Sequence, residues 1–176
     1  MTPAIPTLHR PITGRRIRVA LIGCGRIAGN HLAALRAHER DVELVATCDA
    51  VHERAVAATA GTGAQAFDDL EAMLASDTAM DVAILATPSG LHAPQAIRCA
   101  QAGLHVVTEK PMATRWQDGK AMVAACDAAG VRLFVVKQNR RNATLQLVKR
   151  AMQKKRFGRI YSVAVNVFWT RPQEYY

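Results

Sequence analysis

Two stretches of this chain, Val19-Ala20-Leu21-Ile22 and Val82-Ala83-Ile84-Leu85, are apolar at every position. Side chains of a strand point alternately to its two faces, so a strand with no polar position must be covered on both. A parallel sheet with helices on each face meets that condition. The sequence from Arg15 onward is consistent with it: short β-rich runs at 16–24, 42–48, 64–67, 81–87, 105–109 and 131–136 alternate with Ala-rich helical stretches near 26–38, 52–59, 68–75, 92–102 and 115–129. This alternation predicts an α/β domain with a doubly wound parallel sheet and the two apolar runs at its centre. Asp68-Asp69-Leu70-Glu71 and Thr114-Arg115-Trp116-Gln117 each put a capping side chain three residues before an acid or amide. Gly103 and Gly130 stand where a left-handed residue ends a helix.

Beyond Lys137 the pattern changes. An amphipathic helix over 143–156 stops at Gly158, and its Leu145, Val148 and Met152 are expected to face inward, leaving Lys149, Arg150, Lys154, Lys155 and Arg156 wet. The strand-like run 160–169 follows, with Tyr161, Val163, Val165 and Val167 on one side and no partner after it. It reads as the first strand of a second, α+β domain that is truncated here.

Composition narrows the function classes. Half of the 176 residues are hydrophobic and 21% are charged, enough to bury a core. No run of about 18 apolar residues is present to span a membrane. Residues 1–14 carry three prolines and no apolar signal-like segment, so a flexible lead-in and a cytoplasmic protein are the expectation. Cys24, Cys48, Cys99 and Cys126 form no CxxC pair and no zinc-type spacing, and are expected as buried reduced thiols, with no metal site. The net charge of +9 is concentrated: residues 137–173 hold ten Lys or Arg and no Asp or Glu. Either an anionic partner or missing acidic residues elsewhere in the protein account for it.

Gly23-Cys24-Gly25-Arg26-Ile27-Ala28 follows the first strand and opens the first helix, the context in which a GxGxxA sequence signals dinucleotide binding. Gly23 allows the tight turn, Gly25 lets a pyrophosphate approach the backbone, and Ala28 lets helix and strand pack closely. Arg26 and Ile27 complete the turn, where the helix N-terminus supplies N–H donors and partial positive charge. Asp49 ends the second strand, 26 residues after Gly23, where a carboxylate can accept from both adenine-ribose hydroxyls. That favours NAD over NADP, although His52 and Arg54 nearby could accommodate a 2′-phosphate.

Ligands of open α/β sheets bind beyond the carboxyl ends of the strands. After the fourth and fifth strands stand Ala86-Thr87-Pro88-Ser89-Gly90-Leu91-His92 and Thr108-Glu109-Lys110-Pro111. With the glycine motif, these segments resemble the glucose-fructose oxidoreductase and inositol dehydrogenase family (Gfo/Idh/MocA), whose members oxidise or reduce sugar carbons with a nicotinamide cofactor. The resemblance extends through 134–144 and 168–176. It is closest to members that oxidise C3 of a UDP-linked 2-acetamido-2-deoxyglucuronate in lipopolysaccharide O-antigen synthesis.

The resemblance implies an NAD-binding Rossmann domain over 15–142 and, from 143, the start of a substrate and oligomerisation domain carrying the catalytic histidine and a tetramer interface. It places Lys110 at the reacting carbon, as the base or its hydrogen-bond partner, with Glu109 orienting the strand end and Pro111 often following a cis peptide. Thr87, Pro88 and His92 would line the nicotinamide half of the cofactor. Asn139, Arg140 and Arg171, with Gln138 and Arg141 nearby, could serve the glucuronate carboxylate or the pyrophosphate, since a guanidinium binds either anion bidentately. Trp116 reads as a helix-packing residue. A family member acting on a free sugar or polyol is the alternative. A nucleotide-sensing or nucleic-acid-binding Rossmann domain, with the 149–159 cluster tracking phosphates, is disfavoured because no stacking aromatics interleave those cations.

Overall fold

The computed structural model describes residues 12–170, 172 and 173. The expected lead-in lies for the most part outside the described residues, as does Arg171. Two compact units are present, one ending at Lys137 and the other beginning at Gln138.

The first unit is a six-stranded sheet in the order β3-β2-β1-β4-β5-β6. Its strands are β1 (Ile17–Ile22), β2 (Val42–Cys48), β3 (Gln65–Phe67), β4 (Val82–Leu85), β5 (His105–Thr108) and β6 (Leu133–Val135). Every pair is parallel. The helices are α1 (Ala28–Ala37), α2 (His52–Ala58), α3 (Leu70–Ala75), α4 (His92–Gln101) and α5 (Trp116–Ala128). This is the doubly wound order in which the chain reverses direction across the sheet between β1 and β4, opening a crevice at their carboxyl ends.

The two apolar runs occupy the neighbouring central strands β1 and β4. Ala20 and Ile22 face one layer, with Met73, Ala96, Cys99, Met122 and Cys126 of α3, α4 and α5. Val19 and Leu21 face the other, with Ala28 of α1. Alternate residues of one strand thus enter two separate cores, which is why no polar position could be tolerated. Many contact positions are alanine, including the fully buried Ala46, Ala83, Ala96 and Ala100, so helices lie close to the sheet. Each fully buried aliphatic side chain such as Leu21 or Leu85 contributes about 1.5–3 kcal/mol relative to exposure.

Helix ends follow local chemistry with two corrections. The α3 cap is Asp69, whose carboxylate accepts from Ala72 N–H at 2.8 Å, one residue later than the spacing from Asp68 suggested. Helix α5 has Arg115 at its cap position without a side-chain bond, so Thr114 does not cap it. Gly103 and Gly130 take φ of +80° and +65°, as expected of residues that end helices. Trp116 is also corrected. At the first position of α5 the residue is 78% exposed, lining a groove of about 640 Å³ with Met112, Gly119 and Val123.

The second unit contains a 3-10 turn, Gln138–Arg141, and α6 (Ala143–Gln153), capped by Asn142. No residue of α6 is buried: Leu145, Val148 and Met152 are 41–51% exposed, correcting the expectation that they face inward. The run 160–169 forms no strand, because a strand needs a neighbour for its N–H and C=O groups and none pairs with it among the described residues.

Candidate active site at the carboxyl edge of the sheet

The strand ends at this edge are tied by backbone hydrogen bonds. Gly23 N–H donates to Cys48 O at 2.8 Å, Ala86 N–H to Ile22 O at 2.7 Å, Glu109 N–H to Leu85 O at 2.9 Å, and Val136 N–H to Thr108 O at 2.9 Å. Each residue that leaves a strand is therefore placed by the strand beside it.

Gly23 has φ +87°, and a Cβ there would stand 2.7 Å from Ala86 C and Thr87 N. Only glycine satisfies both the left-handed turn and the close approach to the β4 end. Gly25 is different: a Cβ there would meet nothing within 4 Å, so open space lies over this backbone position. Helix α1 begins with Ile27 at its cap position, without a side-chain hydrogen bond and with no acidic residue in its first turn. An uncapped helix start over an open glycine is what a pyrophosphate requires, and on this observation the residues present fit a dinucleotide. Arg26 is exposed beside it. Burial pushes the Cys24 thiol up to about 11, with Asp49 adding to the effect, so an uncharged S–H adjoins this turn.

Asp49 directly follows β2. One carboxylate oxygen accepts from Cys24 N–H at 2.7 Å and the other from Val51 N–H at 2.9 Å. The carboxylate thus orders the glycine turn, and each oxygen retains a lone pair for a further donor.

On the β4 side, Thr87 Oγ1 donates to Gln95 Oε1 at 2.6 Å, and Pro88 is exposed at the start of the 3-10 turn Ser89–Leu91. His92, at the first position of α4, is 1% exposed. Its Nε2 lies 2.9 Å from Thr87 O and its Nδ1 2.9 Å from Pro111 O. What His92 does within the chain is join the segment after β4 to the segment after β5.

The β5 segment carries the cation. Glu109 is 8% exposed, and one of its oxygens accepts from Lys110 N–H at 3.2 Å. The other lies 3.1 Å from His31 Nε2. Lys110 itself is exposed, and the Lys110–Pro111 peptide is cis, in line with the resemblance. The structure therefore brings Gly23, Gly25, Asp49, Thr87, His92, Glu109 and Lys110 to one edge. Asn139 and Arg140 belong to the second unit, exposed in the turn that precedes α6, where the Gln146 amide donates to Arg140 O. His31 escaped the sequence reading; only its position near the start of α1, facing the sheet edge, could have signalled it.

A family model described as an oxidoreductase family with an NAD-binding Rossmann fold, Gfo/Idh/MocA, matches residues 17–137. The chain belongs to this family. Among solved structures, the WlbA dehydrogenase from Bordetella pertussis in complex with NADH and UDP-GlcNAcA is 66% identical with a TM-score of 0.89, the match covering 94% of this chain and 48% of that one. The corresponding Chromobacterium violaceum complex is 63% identical with a TM-score of 0.90, again covering 94% and 48%. A curated relative, D-apiose dehydrogenase from Paraburkholderia graminis, is 39% identical over 142 residues, which are 80% of this chain and 37% of that protein. The chain spans about half the length, or less, of these relatives.

Proposed function

We propose that this chain is the nucleotide-binding part of an NAD-dependent oxidoreductase that oxidises C3 of a UDP-linked 2-acetamido-2-deoxyglucuronate to the 3-keto sugar, in lipopolysaccharide O-antigen synthesis. The observation that carries it is the 63–66% identity, over 94% of this chain, to two dehydrogenases whose structures hold NADH and UDP-GlcNAcA. A bound nicotinamide supplies the hydride acceptor. Within this chain, Gly23, Gly25, Arg26 and Ile27 receive the pyrophosphate, Asp49 accepts from the adenine ribose, and Thr87 and Pro88 flank the nicotinamide side, with His92 holding their segment. As the C3–H bond breaks, the hydroxyl proton must leave. Lys110 Nζ is the group at that oxygen, hydrogen-bonding it and moving its proton. Glu109 sets the direction of the Lys110 turn. Asn139, Arg140 and Arg171 are assigned to the anionic groups of the sugar nucleotide, which suits the local excess of positive charge. The working form is a cytoplasmic tetramer.

The test is nicotinamide absorbance of the NAD-loaded whole protein after adding UDP-N-acetylglucosaminuronate, with UDP-N-acetylglucosamine as control. Reduction with the acid alone is expected. Reduction with neither would withdraw the substrate and leave the family.

A further inference from the structure

We infer that His31 is a positioning residue for Lys110, acting through the Glu109 carboxylate; this rests on the reading of Lys110 as the group at the reacting hydroxyl. Glu109 is a carboxylate almost withdrawn from water, and such a group needs hydrogen-bond donors to remain there. It has one donor from the backbone of Lys110 and one from His31 Nε2. Holding one oxygen of the carboxylate fixes the rotation of the whole group, and with it the oxygen that receives Lys110 N–H. Where Lys110 starts its side chain is therefore set in part by His31, which lies 78 positions before Glu109 in the chain.

Three features separate this contact from an ordinary surface ion pair. The two side chains are only 14% and 10% exposed, whereas Arg98–Glu71 and Arg16–Glu43 have partners 30–55% exposed. It is separate from the apolar packing of α1 on the sheet, where Ala28 clusters with Val19, Leu21, Ile84 and Ala86. Finally, His31 stands in the first turn of α1, the helix whose uncapped start adjoins Gly25. One imidazole thus links the turn that receives the phosphates to the turn that carries the lysine. From the opposite side, His92 holds Pro111 O, so the residues on both sides of Lys110 are tied down by histidines on different helices.

The experiment compares His31→Leu, His31→Gln, Glu109→Gln and the double variant His31→Leu/Glu109→Gln in the whole NAD-loaded protein, with Lys110→Met alongside. His31→Leu is expected to lower kcat about tenfold, because a small misplacement of a reacting group is costly. NADH affinity should stay within about twofold, since the cradle is untouched. His31→Gln, whose amide can still donate, recovers most of the rate. The double variant should lose no more than Glu109→Gln alone, the mark of two residues acting through one carboxylate. Hydrogen exchange of the Glu109, Lys110 and Met112 amides should quicken in His31→Leu and return toward the parent in His31→Gln, a readout that needs no turnover.

Parent-like kcat in His31→Leu, or additive losses in the double variant, with Lys110→Met inactive, would overturn the role of His31 while leaving Lys110 in place. Parent-like turnover in Lys110→Met would overturn both. Should His31→Leu fail to fold, His31→Asn, whose amide is too short to reach Glu109, takes its place with the same expected losses.

Discussion

The two edges of the sheet use charge in opposite ways. At the amino edge, Asp81 receives Arg15 and Arg18 together: Arg15 donates through both terminal nitrogens at 2.6 and 2.9 Å, and Arg18 through Nε, Nη2 and its backbone N–H. The Arg15 hydrogen bond, with those of Arg18, holds the Asp81 carboxyl well below the usual carboxylate range. Charge there is neutralised in place, locking the entry of β1 to the entry of β4. At the carboxyl edge, Asp49 and Glu109 instead accept from backbone N–H groups or from a histidine, and Lys110 remains exposed. One edge is built to hold the sheet together. The other leaves a turn, a carboxylate and an exposed amine at the strand ends.

The sharpest way to break this contrast is Lys110→Met. Turnover of the whole protein should fall by at least about 100-fold, the range for loss of a positioned proton-transfer group. NADH binding, followed by fluorescence, should persist. Gly23→Ala comes next, since it adds a clash at 2.7 Å to a left-handed backbone. It should destabilise by about 3 kcal/mol in denaturant titration, and nucleotide binding should fall with it.

Asp81→Asn tests the other edge. It should cost about 2 kcal/mol of stability with NADH affinity unchanged, because charged hydrogen bonds are lost far from the cradle. The sign with pH follows from the lowered carboxyl. Its contribution is complete above the unfolded carboxylate value of about 4 and is lost as pH falls through the folded value. The parent should therefore lose stability in acid more steeply than the variant. The smallest expected effect on stability is that of Gly25→Ala, within about 0.5 kcal/mol because the new methyl meets nothing. Yet NADH affinity should fall by about tenfold, since the methyl stands where a phosphate would approach. A Gly25→Ala protein with parent affinity would remove Gly25 from the cradle.

The order and type of the elements from β1 to β6 were legible because apolar continuity, β-rich runs and glycine stops are local signals. Most of the edge residues were legible too, because in a parallel sheet every strand end lands on one side, so whatever follows a strand is brought there. Trp116 and the inward face of α6 were misread for a common reason. An apolar residue on a helix announces that it can be buried, while burial depends on what packs opposite, and that is not a property of the helix. The Asp69 cap was displaced by one residue because two adjacent aspartates offer equivalent side chains, and only the helix start selects between them.

The residue pattern by itself determined a parallel, doubly wound sheet, its central strands and the glycine turn after β1, since each depends on periodicity or on the stereochemistry of a few consecutive residues, whereas Lys110 was singled out by the family resemblance. Tertiary structure alone decided that His31 meets Glu109, that His92 bridges Thr87 and Pro111, and that Asp49 orders the Cys24 turn. Those contacts join residues from 5 to 78 positions apart. Their partners are chosen by which strand ends lie side by side, a consequence of the strand order that no short stretch of sequence contains.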